Sequence, residues 1–426
     1  MTKLPEKTDV VVVGAGQAGI AMSEHLRDCG IFHVVLERGR IAERWRSRRW
    51  DSLVANGPAW HDRFPGMEFE EFEPDEFVPK EKVADYFVAY SRMIEAPVFC
   101  NVSVDRVTRL SGRDGFHVQT SSGSLEARFV VAATGPFHSP LMPQLVPGDA
   151  NVHQMHSADY KNPGQLGEGG VLVVGAGSSG VQIADELQRS GRNVYLSIGP
   201  HDRLPRRYRN RDYVWWMGVL GMWDDESVPP GKEHVSIAVS GAYGGRTIDF
   251  RELAANGITL VGRTAGYKDG TMRFDRDVQT NFENGDTYYL SFLDQCDAHV
   301  DSNGLELPQE PSARQLGGTP DCVTKPVLEL DLAGAGISTI IWATGYTPDF
   351  SWLDADVFKA DGKPRHVRGV APLPGVYFLG LPFMMSRGSS FIYGVWHDAK
   401  HIADHIFIQQ KYSAYTGDAR RVTNDA

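Results

Sequence analysis

An α/β architecture of two similar parallel-sheet units, one inserted into the other, follows from three observations. A strand-turn-helix signature occurs twice, as V-V-V-G-A-G-Q-A-G at residues 11–19 and V-L-V-V-G-A-G-S-S-G at residues 171–180. An apolar strand ends in Ala-Thr-Gly twice, at residues 133–135 and 343–345. At 426 residues the chain also exceeds what one ordinary core holds, so two domains are the natural division. The first unit is expected over 1–163 and 325–426, and the second over 164–324, beyond a Gly/Pro-rich linker near 162–170.

In each signature the apolar strand runs into Gly-x-Gly-x-x-Gly and then a helix, the context of a Rossmann-like dinucleotide-binding turn. Gly14 and Gly175 allow the tight turn, Gly16 and Gly177 let the backbone approach a pyrophosphate, and Gly19 and Gly180 let helix pack on strand. The phosphates then meet the positive end of the helix, where Ser178 and Ser179 follow the second turn. Two copies predict two dinucleotides and a redox function.

The copies differ after the helix. The strand at 34–36 ends in Glu37, a carboxylate placed to accept from ribose hydroxyls, which suits FAD or NAD. The strand at 194–196 ends instead in Ser197, and Arg203, Arg206, Arg207, Arg209 and Arg211 follow. With no carboxylate to repel a 2′-phosphate and guanidinium forks to pair with one, the second site reads as an NADP site. For any single arginine the alternative is a solvated surface loop.

Between these signatures, residues 80–95 carry helical spacing in Val83, Tyr86, Phe87 and Tyr90. Residues 98–107 read as a strand, and 116–120 with 125–132 as a hairpin through Ser122 and Gly123. Residues 214–223, V-W-W-M-G-V-L-G-M-W, suit either packed core or the wall of a substrate tunnel. Residues 302–324 look like a long irregular connection, and a helix is expected over 391–409.

A formal charge of -11 argues against nucleic-acid binding. Four cysteines without C-x-x-C spacing suit a reduced, cytoplasmic protein and leave a flavin disulfide reductase without its cysteine pair. No apolar run approaches a membrane span or a signal-peptide core. His153 and His156 lack a third ligand nearby, so no metal is expected.

The paired glycine signatures and Ala-Thr-Gly turns resemble those of two-dinucleotide-binding flavoproteins, and within them the class B flavoprotein monooxygenases. Residues 37–53, E-R-G-R-I-A-E-R-W-R-S-R-R-W-D-S-L, are similar to that family's path from the FAD ribose to the flavin, with Arg38, Trp45 and Arg46 as candidate contacts. Asn56 falls about where the family places an active-site asparagine, although a turn role before Gly57-Pro58 explains it equally. His156-Ser-Ala-Asp-Tyr160 looks like the second half of the family fingerprint, whose leading Phe-x-Gly is absent because Ala150 and Val152 stand there. Residues 380–392, with Gly380, Ser390 and Phe391, resemble the segment that approaches the isoalloxazine, and Thr134, Gly135, Thr344 and Gly345 join the cofactor set.

The resemblance implies an FAD enzyme that uses NADPH and O2 to oxygenate a small organic substrate at nitrogen, sulfur or carbon through a flavin peroxide, and a homodimer is a further expectation. The alternatives are an NADPH oxidase that releases hydrogen peroxide and a non-catalytic redox sensor binding FAD and NADPH.

Overall fold

The computed structural model describes residues 3–229 and 236–415. The first unit begins with β1 (Lys7–Val13), α1 (Gln17–Asp28) and β2 (His33–Glu37). Val10, Val11 and Val12 are wholly buried, as a central parallel strand covered on both faces requires. A short helix α2 (Glu43–Ser47) and the helix α3 (Lys80–Met93) precede β3 (Val98–Cys100), β4 (Val104–Arg109), β5 (Phe116–Thr120) and β6 (Gly123–Ala132). The single strand expected over 98–107 is thus two, parted where Asn101 takes a positive φ of 59°.

The first sheet runs Leu353–Asp354, β4, β5, β6, β1, β2, β3. β6 pairs with β1 along one edge and is long enough to serve two partners along the other. Its early residues pair antiparallel with β5, and Val130 to Ala132 pair parallel with the late strand Val376–Phe378. This sheet therefore takes strands from both ends of the chain.

After the short β7 (Ser139–Pro140), the second sheet is built from β8 (His153–His156), β9 (Gly170–Val174) and β10 (Val194–Ser197), with α4 (Ser178–Arg189) between the last two. Its order is Thr259–Val261, β10, β9, Ile337–Trp342, β8, with every pairing parallel. Two of these strands lie outside 164–324, so the unit borders expected at 163 and 325 move outward. The physical reason is that β10 covers one edge of β9 while the other edge, equally apolar, is covered by Ile337–Trp342.

Residues 214–223 pack one side into the core and leave Gly218, Val219 and Gly221 exposed. Trp216 and Trp223 are buried in a cluster with Tyr289, Phe292 and Leu293, and each indole N–H donates to a backbone carbonyl, of Tyr208 and Val214. The long helix Val278–Asn303 supplies the facing side, and 302–324 contains the short helices Pro311–Arg314 and Asp321–Thr324 rather than only loop. Among the described residues no helix is long and apolar enough to cross a membrane.

The segment after β8 ties the two units together. The Tyr160 hydroxyl donates to Glu186 on α4 at 2.7 Å, and the Ser52 hydroxyl reaches the other oxygen of the same carboxylate at 2.6 Å. The Lys161 ammonium donates to the carbonyls of Ser47 and Arg49. His156 accepts at Nδ1 from the Ala158 N–H, so its proton sits on Nε2 and donates to the Gly345 carbonyl at 2.9 Å. Burial lowers its pKa and keeps the ring in this neutral form.

The C-terminal helix Ile392–Ala414 packs along α1, and Glu24 of α1 accepts from both the Trp396 indole and the Tyr90 phenol. One member of this helix opposes folding. Asp398 is buried with one carboxylate oxygen unpartnered among the described residues, and burial raises its pKa to about 6. A carboxyl raised above its unfolded value binds more protons when folded, so its contribution to stability falls as pH rises from about 4 to about 6. Asp398→Asn is therefore expected to be more stable than the parent at pH 8 by roughly 1–3 kcal/mol, with the difference closing by pH 4. Chemical denaturation at the two pH values checks this, and a pH-independent difference would contradict it.

Candidate active site

The first glycine turn opens into a cavity of about 480 Å³, lined by Gly14, Gly16, Gln17, Glu37, Arg38, Trp45, Thr134, Gly135, Gly380 and Ser390, all but Gln17 expected from the sequence. The backbone explains the shape. Gly14, at φ 106°, presses against Ala133, and a Cβ on Gly19 would lie 1.8 Å from the Gly14 carbonyl oxygen. Gly16 has nothing within 4 Å of its would-be Cβ, so it faces open space at the start of α1. That is the cradle a pyrophosphate requires.

Glu37 is fixed before any ligand arrives. One carboxylate oxygen accepts from the Ala15 N–H at 2.9 Å and the other from the Gly39 N–H at 2.8 Å, leaving lone pairs on both for vicinal hydroxyls. Val102, Ser103 and Val104 complete the wall on this side. The Gln17 side chain donates to the Ser390 carbonyl at 2.9 Å, so the start of α1 holds the C-terminal segment at the cavity.

The cavity is also strongly positive. Arg38, Arg44, Arg48 and Arg49 line it, and of these only Arg48 has a carboxylate partner, Asp159, among the described residues. Burial and repulsion from Arg38, Arg48 and Arg49 push the Arg44 pKa down to about 10, and burial also depresses Arg49. His138 is lowered by burial and then by Arg38 and Arg44. Four arginines against the two lining carboxylates of Glu37 and Glu43 make an anion site, and guanidinium forks suit phosphate oxygens. The Thr134 hydroxyl is buried and unpartnered in the same wall. These residues fit the diphosphate and ribose of a dinucleotide.

Of the two arginines expected at this cavity, Arg38 lines it and the other stands elsewhere. Arg46 does not line the cavity; it pairs with Asp85 of α3 at 2.8 Å. Arg44 on α2 and Arg48, which follows its last residue, are about one turn apart and both reach the cavity, whereas Arg46 pairs away from it. Phe391, also expected, does not line the cavity but sits edge-on to Trp223 at 5.3 Å, half exposed. Nor does Asn56: its side-chain oxygen accepts from Gln182 of α4 at 3.0 Å, and its backbone carbonyl accepts from Arg206.

The second turn repeats the first. Gly175, at φ 101°, presses on Ala343, and a Cβ on Gly180 would lie 1.8 Å from the Gly175 carbonyl oxygen. Gly177 caps α4, followed by Ser178 and Ser179. The Ser178 hydroxyl donates to the Ile237 carbonyl and accepts from the Val239 N–H, and Gln182 donates to the Val239 carbonyl. Thr344 donates to the Leu141 carbonyl and Gly345 accepts from the Leu141 N–H, which straps β7 against Tyr346–Thr347. Ser197 is buried at the end of β10, bonded to the Gly262 carbonyl and the Thr264 hydroxyl.

The arginines after Ser197 are mostly structural, a correction to their expected role at a 2′-phosphate. Arg203 pairs with Asp249 and Asp286 under Tyr289. Arg209 binds Asp297 and two carbonyls. Arg206 is 3% exposed, pairs with Asp212 at 2.7 Å and lies between the Phe77 and Tyr213 rings. Arg207 alone of the expected trio is exposed. Removing one partner of a buried pair strands the other charge, so Arg206→Ala is expected to lose about 3–5 kcal/mol of stability. Denaturation measures this; unchanged stability with a raised KM for NADPH would return Arg206 to the coenzyme site.

Comparisons with known proteins agree with this geometry. Residues 11–214 match the family described as pyridine nucleotide-disulphide oxidoreductase. A CzcO-like oxidoreductase of Geobacillus kaustophilus is 32% identical over 402 residues, covering 93% of this chain and 98% of that protein. The indole-3-pyruvate monooxygenase YUCCA1 of Oryza sativa subsp. japonica is 31% identical over 192 residues, 44% of this chain and 47% of its own length. Among solved structures, the flavin-containing monooxygenase of Stenotrophomonas maltophilia superposes with a TM-score of 0.66 at 20% identity, covering 96% and 100% of the two chains. OTEMO in complex with FAD and NADP superposes at 0.57 and 16% identity, covering 95% and 86%. The chain belongs to the family of the CzcO-like oxidoreductases, and it carries the two-dinucleotide-domain fold of the class B flavoprotein monooxygenases.

Proposed function

We propose that this chain is an NADPH-dependent FAD monooxygenase that places one atom of O2 in a small organic substrate and releases the other as water. The observation that carries the reading is the arginine-rimmed cavity at the first glycine turn, in a chain that repeats the same turn in a second sheet. The solved relatives named as flavin monooxygenases share that pair of units. When bound, FAD and NADPH supply the hydride transfer and the activation of oxygen.

The protein's own part is binding and alignment. Glu37 would accept from the FAD ribose, while Arg38, Arg44, Arg48, Arg49 and the N-terminus of α1 would hold its diphosphate. Gly177, Ser178 and Ser179 at the start of α4 would receive the NADPH pyrophosphate. With Arg203 and Arg206 spoken for in buried pairs, the 2′-phosphate contact passes to Arg263, which follows the Gly262 carbonyl that holds Ser197, is 69% exposed and meets only the surface carboxylate of Asp275 at 3.5 Å. The links from Tyr160 and Ser52 to Glu186 would keep the two cofactors in register across the unit border.

Oxygen and NADPH consumption in the presence of a panel of small thioethers and amines tests the reading. Oxygenated product approaching one per NADPH with the best substrate is expected; hydrogen peroxide equal to NADPH throughout would replace it with an oxidase. Arg263→Ala should raise the KM for NADPH about tenfold or more while sparing NADH. An equal change for both coenzymes would move the contact to Arg207. Gly16→Val should fold normally yet bind no FAD, because its side chain fills the cradle, whereas Gly19→Ala should fail to fold. Flavin retained by soluble Gly16→Val would contradict the placement.

A further inference from the structure

The loop that was expected to present Asn56 presents a different polar group. His61 is 6% exposed, and its Nε2 is buried with no hydrogen-bond partner among the described residues. Its other nitrogen, Nδ1, lies 2.9 Å from a carboxylate oxygen of Asp62. The second oxygen of Asp62 accepts from the Gly57 N–H at 3.0 Å, and only glycine permits that approach, since a Cβ there would meet the carboxylate at 2.2 Å. A carboxylate only accepts, so in the neutral imidazole the proton sits on Nδ1 and the bare lone pair on Nε2. A buried acceptor left unmade costs about 1–3 kcal/mol, which calls for a donor that binds there.

The surroundings say what kind of donor. The imidazole stacks against Trp223 at 5.4 Å and Tyr393 at 5.0 Å, with Trp60 edge-on at 5.4 Å. Trp223 is in turn edge-on to Phe391, the residue after Ser390 in the cavity wall. Phe391 and Tyr393 keep 46% and 44% of their surface exposed, although Trp223 beside them is buried. An apolar, aromatic rim around one fixed acceptor is the composition of a small-molecule subsite.

Resting on the monooxygenase reading, we propose that His61 anchors the substrate: its Nε2 accepts a hydrogen bond from an O–H or N–H group of an aromatic molecule that lies against Phe391 and Tyr393. Tyr393, the exposed member of the stack, turns aside to admit the donor. Asp62 acts through His61 as a positioning residue, holding the ring in the accepting tautomer.

The test uses FAD-loaded enzyme without NADPH, so that binding is read apart from turnover, with phenol and anisole as probes. These differ in the donor hydrogen. Calorimetric titration should give phenol about tenfold tighter binding than anisole, the worth of one hydrogen bond. His61→Leu should erase that ratio with flavin content unchanged, and His61→Gln, which still offers an acceptor oxygen, should restore part of it. A ratio near one in the parent enzyme, or a ratio unchanged in His61→Leu, would overturn the proposal. If phenol is selected through His61 while no probe is ever oxygenated with NADPH present, the subsite stands and the monooxygenase reading falls.

Discussion

At Gly19 the helix backbone comes so close to the preceding turn that an added Cβ would lie 1.8 Å from the Gly14 carbonyl oxygen, and Gly180 repeats that distance against Gly175. Helix and strand touch there through backbone alone. The contact aims the first free N–H groups of α1 and α4 at the carboxyl ends of their sheets, where an anionic ligand meets the positive helix end. It also forces the partner strands: Gly14 rests on Ala133 and Gly175 on Ala343, so the strand before each Ala-Thr-Gly turn must neighbour its own glycine turn. The two sheets and the cavity at the first turn are consequences of that packing.

Charge then distinguishes holding a ligand from holding the fold. Around the cavity Arg38, Arg44 and Arg49 have no carboxylate partner among the described residues, and burial together with its neighbouring arginines depresses Arg44. In the second unit the opposite holds. Arg203, Arg206 and Arg209 each meet an aspartate, and two of them lie against aromatic rings. A guanidinium already paired in a buried site has no free fork for a phosphate.

The first glycine turn, Glu37 and Thr134, which line the cavity, were legible because each stands at a fixed offset from a strand end, and Gly380 and Ser390 through the family resemblance of their segment. Arg44, Arg48 and Arg49 were not singled out, since choosing among six arginines at 38–49 requires knowing that 43–47 is helical and which face it shows. Arg203 and Arg206 misled because their partners, Asp249, Asp286 and Asp212, are set by tertiary packing, two of them more than 40 residues away. The unit borders slipped for a similar reason: nothing local in His153–His156 or Ile337–Trp342 says which sheet they join. Nothing in the sequence marks His61, and only the burial of its Nε2 with no partner among the described residues sets it apart.

Anaerobic mixing of the FAD-loaded protein with NADPH tests the central claim most directly. If the two glycine turns hold two dinucleotides for electron transfer between them, the flavin's visible absorbance should bleach within seconds, and NADPH should outpace NADH. Flavin that binds at the first turn but stays fully oxidised under NADPH would contradict the account and leave the chain a binding protein for both nucleotides.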